Sequence, residues 1–374
     1  MKKRKYLGGM IALLFSCTII SNVNAEVKMP AVFADNMVMQ QQTNANLWGT
    51  ATPNKQVTVT PSWNHKSYTT KADASGKWEV SIPTPEAGGP YEVVVSDGNP
   101  LTLKNVMVGE LWLCAGQSNM EMPMKGFKNQ PVEGANVAAL KSKNSNIRLF
   151  TIKRNSSTEP VKDVTGQWQE ANPATVREFS ATAYFFAKYL NEVLDVPIGL
   201  IISNWGGSKV EPWMSIEALT PFKDEVDISH LTNDKPVGPK QVLPGVLYNA
   251  MISPVINYTI KGMIWYQGES NRGQEELYGR LMPAFVKDLR QKWGLGDFPF
   301  YYVQIAPFQY DGVDKTSSAK LREVQLRNMN EIPNSGMAVT LDIGEKTKIH
   351  PAEKEKVGNR LAYWACLLYT SPSP

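Results

Sequence analysis

The 374-residue chain carries 39 Lys and Arg against 35 Asp and Glu, with three Cys and three His. It is long enough for two domains and too poor in Cys and His for a transition-metal site. Lys2-Lys3-Arg4-Lys5 holds the whole positive excess; without those four the basic residues fall to 35, level with the acidic ones, which excludes an electrostatic case for nucleic acid or an anionic membrane surface.

Those four residues, the apolar stretch from Tyr6 to Ile20 and Val23-Asn24-Ala25 read as a secretory signal peptide, residues 1–25, cut after Ala25. The stretch is too short to span a bilayer, and it continues past Cys17 through Ile19-Ile20, which favours this cut over lipoprotein anchoring at Cys17. The expected location is periplasmic or extracellular, with no membrane insertion once the leader is removed. Residues 26–105 then alternate apolar with polar: Val57 and Val59, Trp78, Val80 and Ile82, Tyr91, Val93 and Val95, with tight turns at Ser75-Gly76 and Asp97-Gly98. This pattern predicts a small β-sandwich domain. Its one histidine, His65, reads as a surface strand residue.

From residue 106 to 374 the pattern changes. Leu111-Trp112-Leu113-Cys114-Ala115 is an apolar run ending in Gly116-Gln117-Ser118-Asn119-Met120, as a buried parallel strand would end. Cys114 inside it reads as a small hydrophobe rather than a disulfide partner. Four further runs follow: Pro197 to Ile202 leads into Ser203-Asn204-Trp205-Gly206-Gly207, Gly262 to Tyr266 into Gln267-Gly268-Glu269-Ser270-Asn271, Phe300 to Val303 into Gln304, and Met337 to Leu341 into Asp342. Helical spacing separates them at Tyr184, Ala187, Leu190 and Leu194, and again at Leu277, Leu281, Phe285 and Leu289. The alternation predicts an α/β fold with a parallel sheet covered on both faces, and it puts Ser118, Gly207, Gln267 and His350 along one rim. The loops Met122 to Asn129 and Asn233 to Pro244 are long enough to be substrate-facing lids, and equally fit ordinary surface loops.

Serine is a weak nucleophile that needs a base, usually histidine. His65 falls in the sandwich and His230 in a polar loop, so His350, before a helix expected to begin at Pro351-Ala352, is the candidate. The oxyanion of ester cleavage needs preorganised donors. Ser118 and Gly207 offer backbone N–H groups, and Gln267 or Asn271 a side-chain amide. Gly-x-Ser-x-Gly, His-Glu-x-x-His, Gly-x-x-x-x-Gly-Lys and Cys-x-x-Cys are all absent, and neither metal nor cofactor is implied. Glu121, Glu211 and Glu269 near the same rim leave paired-carboxylate glycoside chemistry open, although Glu121 and Glu269 are better placed to tie down the Ser118 loops.

Gly109 to Glu121, Asn204-Trp205-Gly206-Gly207, Trp265 to Asn271 and Ile349-His350-Pro351, with the leader Phe33 to Gln40 and Ala87-Gly88-Gly89-Pro90, together resemble the sialate O-acetylesterases of the SGNH-hydrolase superfamily. The resemblance covers nearly the whole chain after residue 25. It implies a flavodoxin-like three-layer fold and removal of O-acetyl groups from sialic acids, with Ser118 as nucleophile, His350 as base, and Gly207 and the Gln267 loop as oxyanion hole. Gln117, Asn119, Glu269 and Asn271 would support substrate or loops. Many superfamily members place an aspartate three residues before the histidine, where this chain has Thr347, so Asp342, Glu345 or a backbone carbonyl must orient His350. Gly268-Glu269-Ser270-Asn271 also departs from the superfamily's Gly-x-Asn-Asp. The end from Cys366 to Pro374 departs from the family too and is expected to be truncated or frame-shifted. The partner implied is an acetylated carbohydrate. The alternatives are an acetylesterase for plant polysaccharide such as xylan, and a non-catalytic glycan-binding protein on a hydrolase scaffold.

Overall fold

The computed structural model describes residues 26–231, 240–310 and 316–370. The expected leader, Cys17, residues 233–239 of one expected loop and the last four residues lie outside that range. The alternating segments form β1 (Val38–Gln40), β2 (Asn44–Thr50), β3 (Gln56–Pro61), β4 (Tyr68–Lys71), β5 (Lys77–Pro83) and β6 (Gly88–Ser96). β2 pairs antiparallel with β5, and β3 with β4 and β6, burying Leu47, Val57, Val59, Ile82, Val93 and Val95. His65 is exposed but sits in left-handed backbone between β3 and β4, not within a strand.

β7 (Pro100–Gly116) links this layer to the main sheet. Its first half pairs antiparallel with β6, its middle lies parallel to β1, and its second half sits between two parallel strands. The division expected after residue 105 therefore falls inside one strand, with Asn105 in left-handed backbone at the changeover.

The main sheet adds β8 (Asn144–Thr151), β9 (Trp168–Ala171), β10 (Ile198–Asn204), β11 (Gly262–Tyr266), β12 (Phe300–Val303) and β13 (Ser335–Ala338), in the order β13-β12-β11-β7-β10-β8-β9. All these pairings are parallel except that of β9. The last strand ends at Ala338, short of the expected Leu341; Val339 and Leu341 are exposed. The helices are α1 (Ser118–Glu121), α2 (Ala135–Leu140), α3 (Pro173–Glu178), α4 (Ala181–Leu194), α5 (Ile216–Leu219), α6 (Glu275–Trp293), α7 (Ser317–Glu331) and α8 (Lys354–Thr370).

Because side chains alternate across a strand, β7 sends Trp112 and Cys114 to one face and Leu111, Leu113 and Ala115 to the other. α4 and α8 cover the first face, and α6 and α7 the second. The result is a three-layer α/β fold. After β7 the chain builds β8 to β10 on one side and then β11 to β13 on the other, so the strand order reverses at the carboxyl end of β7, the place where ligands gather in such sheets. Among the described residues no helix is long and apolar enough to cross a membrane.

Candidate active site

Three adjacent strands deliver the site at one level, because Gly116 is in register with both Asn204 of β10 and Tyr266 of β11. Gly116 has φ 143°, and a Cβ there would lie 2.2 Å from the Tyr266 carbonyl oxygen, so only glycine lets the chain leave the sheet here. Backbone bonds from Gln117 N to Tyr266 O and from Trp205 N to Gly116 O pin the turn on both sides. The Gln117 side chain accepts from the Gly268 and Ser270 N–H groups at 3.3 and 3.4 Å. Ser118 is thus presented as the first residue of α1.

His350 reaches the same point from 232 residues away. Its Nε2 lies 2.8 Å from Ser118 Oγ, and its Nδ1 lies 2.7 Å from Gln130 Oε1. An amide oxygen only accepts, so Nδ1 carries the proton and Nε2 is left to accept from the serine hydroxyl. Burial, reinforced by the Lys354 ammonium, pushes the His350 imidazole down to about 4. It is therefore neutral, as a base must be, across the neutral and mildly acidic range.

Gln130 belongs to a small hairpin in which Phe127 and Gln130 exchange backbone hydrogen bonds, and the Phe127 ring meets His350 edge-on at 5.1 Å. The segment from Met122 is no lid. Met122 and Met124 are buried, Met124 N and Lys125 N bond to Phe179 O and Arg177 O, and Glu133 N bonds to Ala352 O beside His350. It forms a fixed wall.

Two sequence expectations are corrected. Asp342 does not orient His350: it forms a two-pronged pair with Arg360 at 2.7 and 2.6 Å, which holds its carboxyl at about 2 on an exposed flank. Arg360 lies two turns into α8, which draws Asp342 outward. Glu345 does not reach the imidazole either, since it accepts from Ala352 N and pairs with Lys348. Asp342→Asn is accordingly expected to leave kcat/KM for an aryl acetate within about twofold of wild type, as surface pairs contribute little; an initial-rate assay checks this.

Gln267 is not an oxyanion donor. It is fully buried, and its Nε2 hydrogens go to Ser208 O and Asn271 Oδ1 at 3.1 and 2.8 Å. Asn271 likewise ties loops, accepting from Val210 N and donating to Glu211 Oε2. Glu121 accepts from Gly206 N at 2.7 Å and pairs with Arg154, and Glu269 accepts from Asn119 Nδ2 at 2.6 Å. All three rim carboxylates brace loops, so none of the three stands free as an acid–base partner for glycoside cleavage. His230 is buried against Pro244 O, and Cys114 is a buried, unpaired thiol that burial pushes well up.

Gly207 adopts φ 76° and faces open space. The backbone N–H groups of Ser118 and Gly207 donate to no group among the described residues. Sequence reasoning missed Gln130, Lys354 and Arg154. Only Lys354 carried a signal, as a lysine at the start of a helix, the end where the macrodipole disfavours a cation.

The family model described as carbohydrate esterase, sialic acid-specific acetylesterase, matches residues 108–366. The mouse protein named sialate O-acetylesterase is 30% identical over 390 residues, covering 88% of this chain and 71% of that one. Its human counterpart is 30% identical over 366 residues, covering 87% and 68%. The crystal structure of a carbohydrate acetylesterase from Xanthomonas citri superposes with a TM-score of 0.83 at 35% identity, covering 93% of this chain and 76% of that one. The match over residues 108–366 and the 30% identity to the mouse enzyme place the chain in the sialic acid-specific acetylesterase family of carbohydrate esterases, and it is a carboxylic ester hydrolase.

Proposed function

We propose that this protein removes 9-O-acetyl groups from sialic acids through an acetyl-serine intermediate. The observation that carries this reading is the hydrogen-bonded series Ser118–His350–Gln130. Ser118 Oγ attacks the acetyl carbonyl carbon while His350 Nε2 takes its proton, and the oxyanion is met by the N–H groups of Ser118 and Gly207. His350 returns the proton to the departing sugar oxygen. Water then gives a proton to His350 as it attacks the acetyl carbon; acetate leaves and the hydroxyl is restored. A non-catalytic glycan binder has no need of a neutral imidazole on a serine hydroxyl.

The sugar is addressed by Arg154, half exposed, 5.6 Å over the Trp205 ring and bonded to Glu121, whose other oxygen holds Gly206. A cation on an aromatic platform beside the nucleophile suits a sugar that carries a carboxylate. Acetate release from acetylated sialosides and from acetylated xylan tests the substrate; a preference for xylan would overturn the sialate reading. Arg154→Gln is expected to raise KM for the sialoside about tenfold, as loss of one charge-assisted hydrogen bond does, and to leave KM for xylan unchanged. The basic and apolar leader supports export to the periplasm or beyond. Residues 26–105 and 106–374 are read as a sandwich domain and an esterase domain that share β7.

A further inference from the structure

Lys354 is fully buried at the first position of α8. Burying an ammonium is costly, and a helix N-terminus repels it, so its place asks for a reason. Its Nζ donates to Asn119 Oδ1 and lies 5.1 Å from the centre of the Tyr266 ring. Asn119 follows the nucleophile. Its Nδ2 donates to Glu269 Oε1 at 2.6 Å and to the Ile349 carbonyl, the peptide that leads into His350, at 3.1 Å. Glu269 is itself buried.

An asparagine side chain is asymmetric, and here its two ends meet unlike groups: the amide oxygen accepts from Lys354 Nζ, and the amide nitrogen donates to the Glu269 carboxyl, whose pKa burial raises. Reversing the amide would set NH₂ against the Lys354 amine hydrogens and take the donor away from Glu269 Oε1. The Lys354–Glu269 pair therefore locks the one orientation in which Nδ2 can hold Ile349 O.

We propose that Lys354 is a positioning residue for His350: through Asn119 it fixes the His350 peptide against the nucleophile turn, and it stands behind that turn as the cation that acts on the ring. This rests on the reading of Ser118 and His350 as nucleophile and base. The groups that face His350 are Ser118 from α1, Gln130 and Phe127 from the hairpin, and Lys354 from α8. Glu269 lies behind Asn119, and Glu345 and Lys348 of the same segment pair with each other. Lys354 is thus the one cation among the described residues acting on the ring. Burial brings Lys354 down to about 7 against the pull of Glu269 and Glu345. As pH falls through 7 it becomes fully charged before His350 takes a proton, which opposes protonation of the imidazole.

The chain has three histidines, so ¹⁵N-histidine NMR of the wild-type protein, assigned with His350→Asn, reads the ring directly. His350 is expected to stay neutral from pH 5 to 8 and to show a small displacement near pH 7 as Lys354 titrates. Protonation of His350 with an ordinary midpoint near 6.5 overturns the proposal. In Lys354→Met the acid limb of kcat/KM for an aryl acetate is expected to move to higher pH by roughly half a pH unit or more. A uniform loss of rate with the limb unmoved would mean a purely structural lysine and overturns it too. If that variant does not fold, the wild-type titration decides. Full activity in Ser118→Ala would instead defeat the underlying mechanism, an outcome separate from both readouts.

Discussion

Ser118→Ala is expected to lower kcat for an aryl acetate by about 10⁴-fold or more, with the fold intact. Oγ is the only heavy atom removed, and its partner in the protein is His350 Nε2. Ser118 is half-buried at a helix start whose geometry is set by Gly116 and by backbone bonds, not by its side chain, so the thermal unfolding midpoint should stay within a few degrees. His350→Ala should lose a similar factor, and the double variant little more, because nucleophile and base act as one unit. Residual turnover would then come from the backbone donors and substrate binding. Turnover of Ser118→Ala within tenfold of wild type, or losses that simply multiply in the double variant, would remove this pair from the chemistry.

The elements that sequence made legible are those whose pattern is local. The runs of β7, β10, β11 and β12 lie between turn residues and are buried on both faces, so each reads as a continuous apolar segment. β8 was missed because Arg148 interrupts its apolar core, and the structure shows why it is tolerated: the guanidinium is buried against Glu170, Ser145 O and Asn105. β9 has four residues, too few for a period. At the site, Ser118 and His350 were found by motif and by scarcity. Gln130 had neither: a loop glutamine has no signature until a hairpin sets it against a ring 220 residues away. Asp342 was expected because an acid near a histidine in sequence suggests a partner, yet Arg360, one helix later, takes it. Gln267 was expected to face the crevice because it ends a strand. Buried loops have backbone groups to satisfy first, and Ser208 O claims its amide.

Gln130 is where the second large effect is expected. In Gln130→Leu the imidazole Nδ1–H loses its acceptor, so neither the tautomer nor the ring orientation is held, and kcat should fall about 10²-fold. Gln130→Glu should act in the opposite sense on protonation. A carboxylate 2.7 Å from Nδ1, where the amide oxygen now sits, favours the imidazolium, so His350 rises from about 4 and the acid limb of kcat/KM moves to higher pH. Because the imidazolium also forms in the transition state, turnover above that limb should equal or exceed wild type. A pH series on wild type, Gln130→Leu and Gln130→Glu, with Asp342→Asn as the control that should match wild type, separates these effects. A loss smaller than about threefold in Gln130→Leu would show that the ring is held well enough by Phe127 and the Ile349 peptide alone. An unmoved limb in Gln130→Glu would show that the residue at 130 does not govern the charge of the base. The wild-type choice of an amide is then a trade: a neutral acceptor fixes the tautomer without drawing a proton onto the ring, at the expense of the stabilisation a carboxylate would give the imidazolium.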